Sequence, residues 1–319
     1  MTNIKLFALA LLAATTTTAS PAAPRLTPRQ LGYHSLATRQ NAAAAKAGLT
    51  DLDILQFALT LENLEETFYR QGFAKFPESD FAALGLNTQQ IADLKQIGKT
   101  EQEHVILLQS ALAQANQKPV QPCTYEFGFT DAAGMVKTAA VLENVGVSAY
   151  LGAAPLLSDP AILGTAGSIL TIESRHQSAI RVFSKQVAVP QAFDAPLGPK
   201  AIFSLAAPFI KECPQGSNLA IQAFPKLAMD PAQAAAAMNV GTQIKLTSDA
   251  AGSATHCGFT SGGVAPGGTI FTPFKAGEGC PIPEGVAGIT YLSLTNSAPL
   301  TGALTDEITV AGPTIVTVS

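Results

Sequence analysis

Two short stretches, Glu101-Gln102-Glu103-His104 and Glu173-Ser174-Arg175-His176, decide how this chain folds. The chain has only four histidines, and two of them follow a glutamate by three residues. On a helix, positions three apart share a face. Glu101 and His104 fall on one stripe with Leu94, Ile97, Leu108 and Ala111. Glu173 and His176 fall on the stripe of Ala166, Ile169, Ile180 and Phe183. Both pairs therefore point toward a helical core, where lone charges are rare.

Working outward, two more glutamates stand in matching contexts. Leu61-Glu62-Asn63 precedes Tyr69, and Leu142-Glu143-Asn144 precedes Tyr150. Each tyrosine lies two helical turns after its glutamate. The match makes the region an internal repeat of a helix pair. It also selects Glu62 on the first helix, because the nearby Glu65 and Glu66 align with Gly146 and Val147. Glu65, Glu66 and Glu103 are then expected to be solvated or at the bundle's edge. Unpaired, four carboxylates in one core would each cost roughly several kcal/mol or more. Two divalent cations neutralise four such charges, and the two imidazoles complete the shells. Carboxylates with one histidine per metal suit iron or manganese better than structural zinc.

Four amphipathic helices carry these residues. The first begins at Thr50-Asp51, with Asp53 at capping-box distance, and buries Ile54, Phe57, Ala58, Leu61 and Phe68. The second runs from Asn87-Thr88 to about Asn116. The third opens at Thr130-Asp131 and ends before Pro155; the fourth opens at Ser158-Asp159-Pro160 and runs to about Lys185. The connection between the second and third helices, holding Pro119, Pro122, Cys123 and Gly128, is the long one. One long crossover between two helical hairpins suits a ferritin-like bundle better than a plain up-and-down bundle.

This set resembles the ferritin-like di-metal carboxylate proteins, which use a glutamate from each of two helices and Glu-x-x-His from each of the other two. All six positions match: Glu62, Glu101, His104, Glu143, Glu173 and His176. The resemblance covers roughly residues 50 to 186. It implies that Glu101 and Glu173 bridge the metals, that Glu62 and His104 complete one, and that Glu143 and His176 complete the other. It further implies two iron ions, with two manganese ions as the alternative, and dioxygen or peroxide as the partner. Ferroxidase-like metal oxidation or catalase-like peroxide removal would both fit. Many relatives carry Asp directly before the Glu of Glu-x-x-His; here those positions are Thr100 and Ile172. The outer support of the ligands is thus weaker, or comes from Asn63, Asn144, Tyr69 or Tyr150. Tyr69 and Tyr150 are otherwise ordinary packed rings with bonded hydroxyls. With its proline-rich bridge and β-rich tail, the chain is also similar to exported fungal proteins described as stress-response, late-sexual-development or desiccation-related. The rival expectation is a non-enzymatic structural or desiccation-protective protein with a vestigial or structural metal site.

The rest of the chain frames the bundle. Lys5, the apolar run Leu6 to Ala14 and the small residues Thr17 and Ala19 read as an export signal over residues 1–19. Residues 20–46 read as a flexible arm. The bundle is expected over 47–188, a Pro-rich bridge over 189–225, with a short helix near Ala201 to Lys211, and a β-rich domain over 226–319. In that last part Thr242 to Thr247, Ile289 to Leu294 and Ile308 to Val318 read as strands, and Gly262-Gly263 and Pro266-Gly267-Gly268 as turns. The expected fold is thus a mainly α ferritin-like four-helix bundle followed by a small, sandwich-like β-rich domain. His256 reads as a loop residue, and His34 falls in the arm. Four cysteines allow three pairings; Cys123 with Cys213 and Cys257 with Cys280 are favoured because each stays within one region. Charged residues make up 13% and net charge is -4, without the clustered Lys and Arg of a nucleic-acid surface. No stretch is apolar enough for a membrane anchor. The expected location is extracellular or cell wall, and the β-rich domain is a candidate for cell-wall contact or self-association.

Overall fold

A computed structural model describes residues 27–28, 48–217, 221–234, 238–264 and 268–318. The export signal, the arm apart from residues 27–28, His34 and the Pro266-Gly267 half of one turn lie outside the described residues. Four long helices dominate: α1 (Asp51–Lys75), α3 (Thr88–Gln114), α4 (Ala132–Ala153) and α5 (Pro160–Phe183), with a short α2 (Glu78–Ala83) between the first two. Their starts follow from local chemistry. Thr50 and Asp53 form a capping box, as do Asn87 and Gln90. The Asp131 side chain accepts from the Gly134 N–H, and that of Asp159 from the Ala161 N–H beside the first-turn Pro160. Each cap satisfies amide groups that the first turn leaves without partners.

Residues from all four long helices close on one core. Leu64, Phe68, Tyr69, Leu94, Met135, Ala139, Leu142 and Ile180 are buried in it, and each large apolar side chain contributes about 1.5–3 kcal/mol. Gly98 on α3 permits a close approach: a Cβ there would lie 2.8 Å from Cβ of Tyr69. The chain between α3 and α4 carries β1 (Thr124–Tyr125), which pairs with β2 (Ile210–Glu212). The expected bridge helix ends early. It is α6 (Pro199–Ala206), followed by a 3-10 turn over Ala207–Phe209 and then β2, since Pro208 cannot donate within a continuing helix. The Cys123–Cys213 disulfide fastens this bridge to the crossover.

The C-terminal part is built on an antiparallel sheet of four strands, β6 (His256–Thr260), β7 (Thr269–Pro273), β9 (Gly288–Thr295) and β10 (Thr309–Val318), ordered β10-β9-β6-β7. Small two-stranded pairs flank it: β3 (Ala228–Met229) with β5 (Leu246–Thr247), and β4 (Gln243–Ile244) with β8 (Cys280–Pro281). The expected run from Thr242 to Thr247 is thus split between two pairs. His256 is not in a loop. It opens β6, opposite Thr295 and Pro273, because sheet pairing overrides the weak strand signal of its Gly- and Ser-rich surroundings. Cys257 and Cys280 are joined, so both favoured pairings are present. Tyr291 of β9 reaches into the helical core. Its hydroxyl lies 2.6 Å from Asn144 Nδ2, 2.7 Å from Ser148 Oγ and 3.1 Å from Asn144 O. This sheet is therefore fixed to α4 at Asn144, the residue next to the glutamate that α4 supplies.

Candidate metal centre

The six residues selected by spacing converge. Glu62, Glu101, His104 and Glu173 offer ligand atoms that all lie within 4.8 Å of one another, and so do Glu101, Glu143, Glu173 and His176. The two sets share Glu101 and Glu173. All four carboxylates are fully buried, at 0% exposure, and the two imidazoles nearly so. Both histidines turn Nδ1 inward. His104 Nδ1 is 3.0 Å from Glu101 Oε2, 3.3 Å from Glu62 Oε2 and 3.4 Å from Glu173 Oε1; His176 Nδ1 is 2.8 Å from Glu101 Oε1 and 3.1 Å from Glu143 Oε2.

The tyrosines support the cluster across the repeat, each serving the other helix's glutamate. Tyr69 on α1 donates to Glu143 Oε1 on α4. Tyr150 on α4 donates to Glu62 Oε1 on α1, at 2.5 Å. Thr100 occupies the place where relatives carry Asp, and its hydroxyl does related work. It donates to the Ile97 carbonyl at 2.7 Å and stands 2.9 Å from His176 Nε2. With that hydrogen committed, Thr100 accepts from Nε2–H of His176, so that when the ring is neutral its Nδ1 lone pair faces the site. A residue type that suggested a weaker support therefore supplies one. Ile172, its counterpart, offers no such group to His104. Asn144 serves Tyr291 and Gln177 instead, and Nδ2 of Asn63 has no partner among the described residues.

Glu65 corrects the sequence reading. Expected at the edge, it is buried, at 4% exposure. It follows Glu62 by three residues and so shares its face. Gly146, its counterpart on α4, provides the room. A Cβ at Gly146 would lie 3.2 Å from Glu65 Oε1 and 2.5 Å from Glu173 Oε2. Alignment to glycine made Glu65 look dispensable, when the glycine is what lets the carboxylate in. Glu103 is exposed and Glu66 pairs with Arg70 at 2.8 Å, as expected of edge residues.

The electrostatics are those of an acid cluster with more carboxylates than its two imidazoles can neutralise. Burial pushes Glu62 up to about 7. Burial, then Glu101, raises Glu143, and the same two causes raise Glu173 far above the usual range. Burial, then Glu173, does this to Glu65. For Glu101, burial is outweighed by the hydrogen bonds of both histidines, and it falls to about 2. Burial lowers both imidazoles, but the surrounding carboxylates prevail. His104 rises to about 12 and His176 to about 10. Even so, the imidazoles meet Glu173 Oε1 and Glu101 Oε1 only as ion-pair contacts, and among the described residues neither oxygen of Glu173 nor Glu101 Oε1 has a well-aligned hydrogen bond. Buried acceptors of this kind are rare and costly. Unpartnered oxygens on the two shared glutamates are what a site for two cations requires, so the residues fit a metal pair.

A family model described as a ferritin-like domain matches residues 50–186. Residues 50–186 are thus a helical region similar to a ferritin-like domain. The matched span holds all six converging residues, Glu65, Thr100 and both tyrosines, and ends before the bridge. Protein rds1 of Schizosaccharomyces pombe is 26% identical over 178 residues, which cover 56% of this chain and 44% of that protein. The chain thus aligns with less than half of that relative's length. Among solved structures, the conserved hypothetical protein rv2844 from Mycobacterium tuberculosis is similar with a TM-score of 0.35 and 18% identity, over 48% of this chain and 99% of that one. Among the described residues no helix is long and apolar enough to cross a membrane. The two disulfides suit an oxidising, extracellular environment.

Proposed function

We propose that the ferritin-like domain holds two iron or two manganese ions and performs oxidative chemistry on them or on peroxide, in an exported protein. One observation carries this reading: two overlapping quartets of buried ligands share Glu101 and Glu173, and Glu101 Oε1 and both oxygens of Glu173 make no well-aligned hydrogen bond among the described residues. Glu62 with His104, and Glu143 with His176, would complete the two ions. Bound there, such a pair supplies Lewis acidity and redox capacity toward dioxygen or peroxide. The chain's own part is positioning. Tyr69 and Tyr150 hold the terminal carboxylates in one rotamer, and Thr100 fixes the His176 tautomer. Burial of the carboxylates keeps bulk water from them.

Peroxide disproportionation and ferrous oxidation share this ligand set, so metal identity and an assay with peroxide separate them. A role in fungal stress, drying or sexual development follows only from the resemblance, together with export. The test is metal analysis of protein purified from the medium and reconstituted anaerobically with iron(II) or manganese(II). About two ions per chain are expected. Retention of fewer than about one rejects the reading. A Glu101→Ala/Glu173→Ala variant should then lose both ions together, because those residues serve both quartets.

A further inference from the structure

Between the ferritin-like domain and the C-terminal part lies a cleft of about 680 Å³. Leu61, Leu64 and Val145 line it from the helices, Phe209 and Phe224 from the bridge, and Ile315 from β10. Its lining includes two charged residues, Glu65 and Lys226, of which Lys226 is solvent-exposed. The hydroxyl of Ser204, also in the wall, already donates to the Lys200 carbonyl and accepts from the Phe224 N–H. Glu65 is buried at the inner end and makes no hydrogen bond or ion pair with a described residue. Beside it the cleft is floored by Gly146, where a Cβ would lie only 2.5 Å from Glu173 Oε2. A methyl group at Gly146 would meet both Glu65 of the cleft wall and Glu173, a shared ligand of the metal centre.

The dimensions and lining select the occupant. Dioxygen or peroxide needs a space near that of a water molecule, about 30 Å³. A hydrated cation gains little from walls of Leu, Val and Phe. Pockets of roughly 300–1,000 Å³ with mainly apolar walls and a few placed polar groups are those of organic ligands. We propose that this cleft is the substrate site of the metal centre, and that it takes a largely apolar organic molecule whose polar group is held by Glu65. This goes beyond the metal reading by adding an organic substrate, and rests on it. The bridge and β10 are then parts of the site, and the C-terminal part contributes to substrate choice.

The test uses the full chain loaded with cobalt(II) and N-phenyl-1-naphthylamine, a probe with apolar rings and one N–H that fluoresces when buried. Saturable binding of about one probe per chain is expected, with a change in the cobalt visible bands as it binds. Ala223→Trp, in the exposed wall, should weaken binding at least tenfold, and Ala223→Phe less so, with circular dichroism confirming the fold. Glu65→Leu should weaken the probe about tenfold by removing one hydrogen bond. The same change should leave 1-phenylnaphthalene, which lacks the N–H, unaffected in competition. A second apolar cavity of about 190 Å³ touches Tyr150 and Ala166, so Ala166→Trp is the control and should change nothing. A chain that binds cobalt but not the probe overturns the cleft alone. So does probe binding indifferent to Ala223→Trp, or lost instead in Ala166→Trp, or without effect on the cobalt bands. A chain that takes up no cobalt overturns the metal reading, and this inference with it.

Discussion

Replacing Gly146 by alanine sets two known effects against each other, and the structure fixes which prevails. In a helix interior alanine is favoured over glycine by about 1 kcal/mol. Gly167, in the middle of α5, has nothing within 4 Å of the added Cβ, so Gly167→Ala should show that gain undiminished. At Gly146 the added Cβ would stand 2.5 Å from Glu173 Oε2, where ordinary contact begins at 3.4 Å, an overlap of 0.9 Å. Glu173 has 0% exposure and cannot swing into solvent. Overpacking of this kind costs about 1–3 kcal/mol. Gly146→Ala should therefore come out about 0–2 kcal/mol less stable than the parent, and about 1–3 kcal/mol below Gly167→Ala. Denaturant titration of both metal-free variants measures this difference. Cobalt titration should show the Gly146 variant weakened at least tenfold, since a shared ligand is displaced, and the Gly167 variant unchanged. If the two alanine variants gain equally and bind cobalt alike, the packing of Glu173 and Glu65 around Gly146 is not as described.

The remaining predictions concern metal, protons, cross-links and the tyrosines. Adding metal at about 100 times its dissociation constant should stabilise the fold by about 2.7 kcal/mol per site. A chelator should reverse this, as followed by thermal melts, and no shift in a Glu173→Ala variant is expected. Without metal, the raised groups bind more protons when folded than when unfolded. Stability should thus be greatest near pH 4.5 and fall as pH rises from there through about 7, the Glu62 window, and on toward about 10 as His176 deprotonates. Metal competes with those same protons, so its affinity should rise with pH, and calorimetry showing the reverse would contradict the ligand set. The Cys123–Cys213 bridge closes 90 residues and Cys257–Cys280 closes 23. Chain-entropy estimates give about 4.6 and about 3.4 kcal/mol, so urea midpoints should fall further for the Cys123→Ala/Cys213→Ala variant. Tyr150→Phe leaves Glu62 Oε1 without its donor and should cost about 1–3 kcal/mol. It should spare one-to-two metal stoichiometry while weakening affinity, which cobalt titration resolves.

Helix starts, the six converging residues and the long crossover were legible because each depends on short-range chemistry: caps, a period of three to four residues, and the near-repetition of Leu-Glu-Asn with a following tyrosine. The cysteine pairing was legible for a related reason, since each cysteine joins its neighbour in chain order, Cys123 with Cys213 and Cys257 with Cys280. Where packing between distant segments decides, sequence was silent. Glu65 has the same helical phase as Glu62, yet whether it is buried depends on the glycine facing it from α4. Thr100 supports a histidine 76 positions away, and no local pattern marks that. His256 joins a sheet because β7 and β9 offer it partners on both sides.

The sequence by itself determined which atoms could hold cations, because a helix repeats its geometry every few residues and so converts spacing into direction. Only the tertiary structure decided what surrounds them. The fifth buried acid, the Thr100 support and the apolar cleft each arise where two segments far apart in the chain come into contact. Such contacts depend on how faces pack, which the order of residues along a single helix does not record.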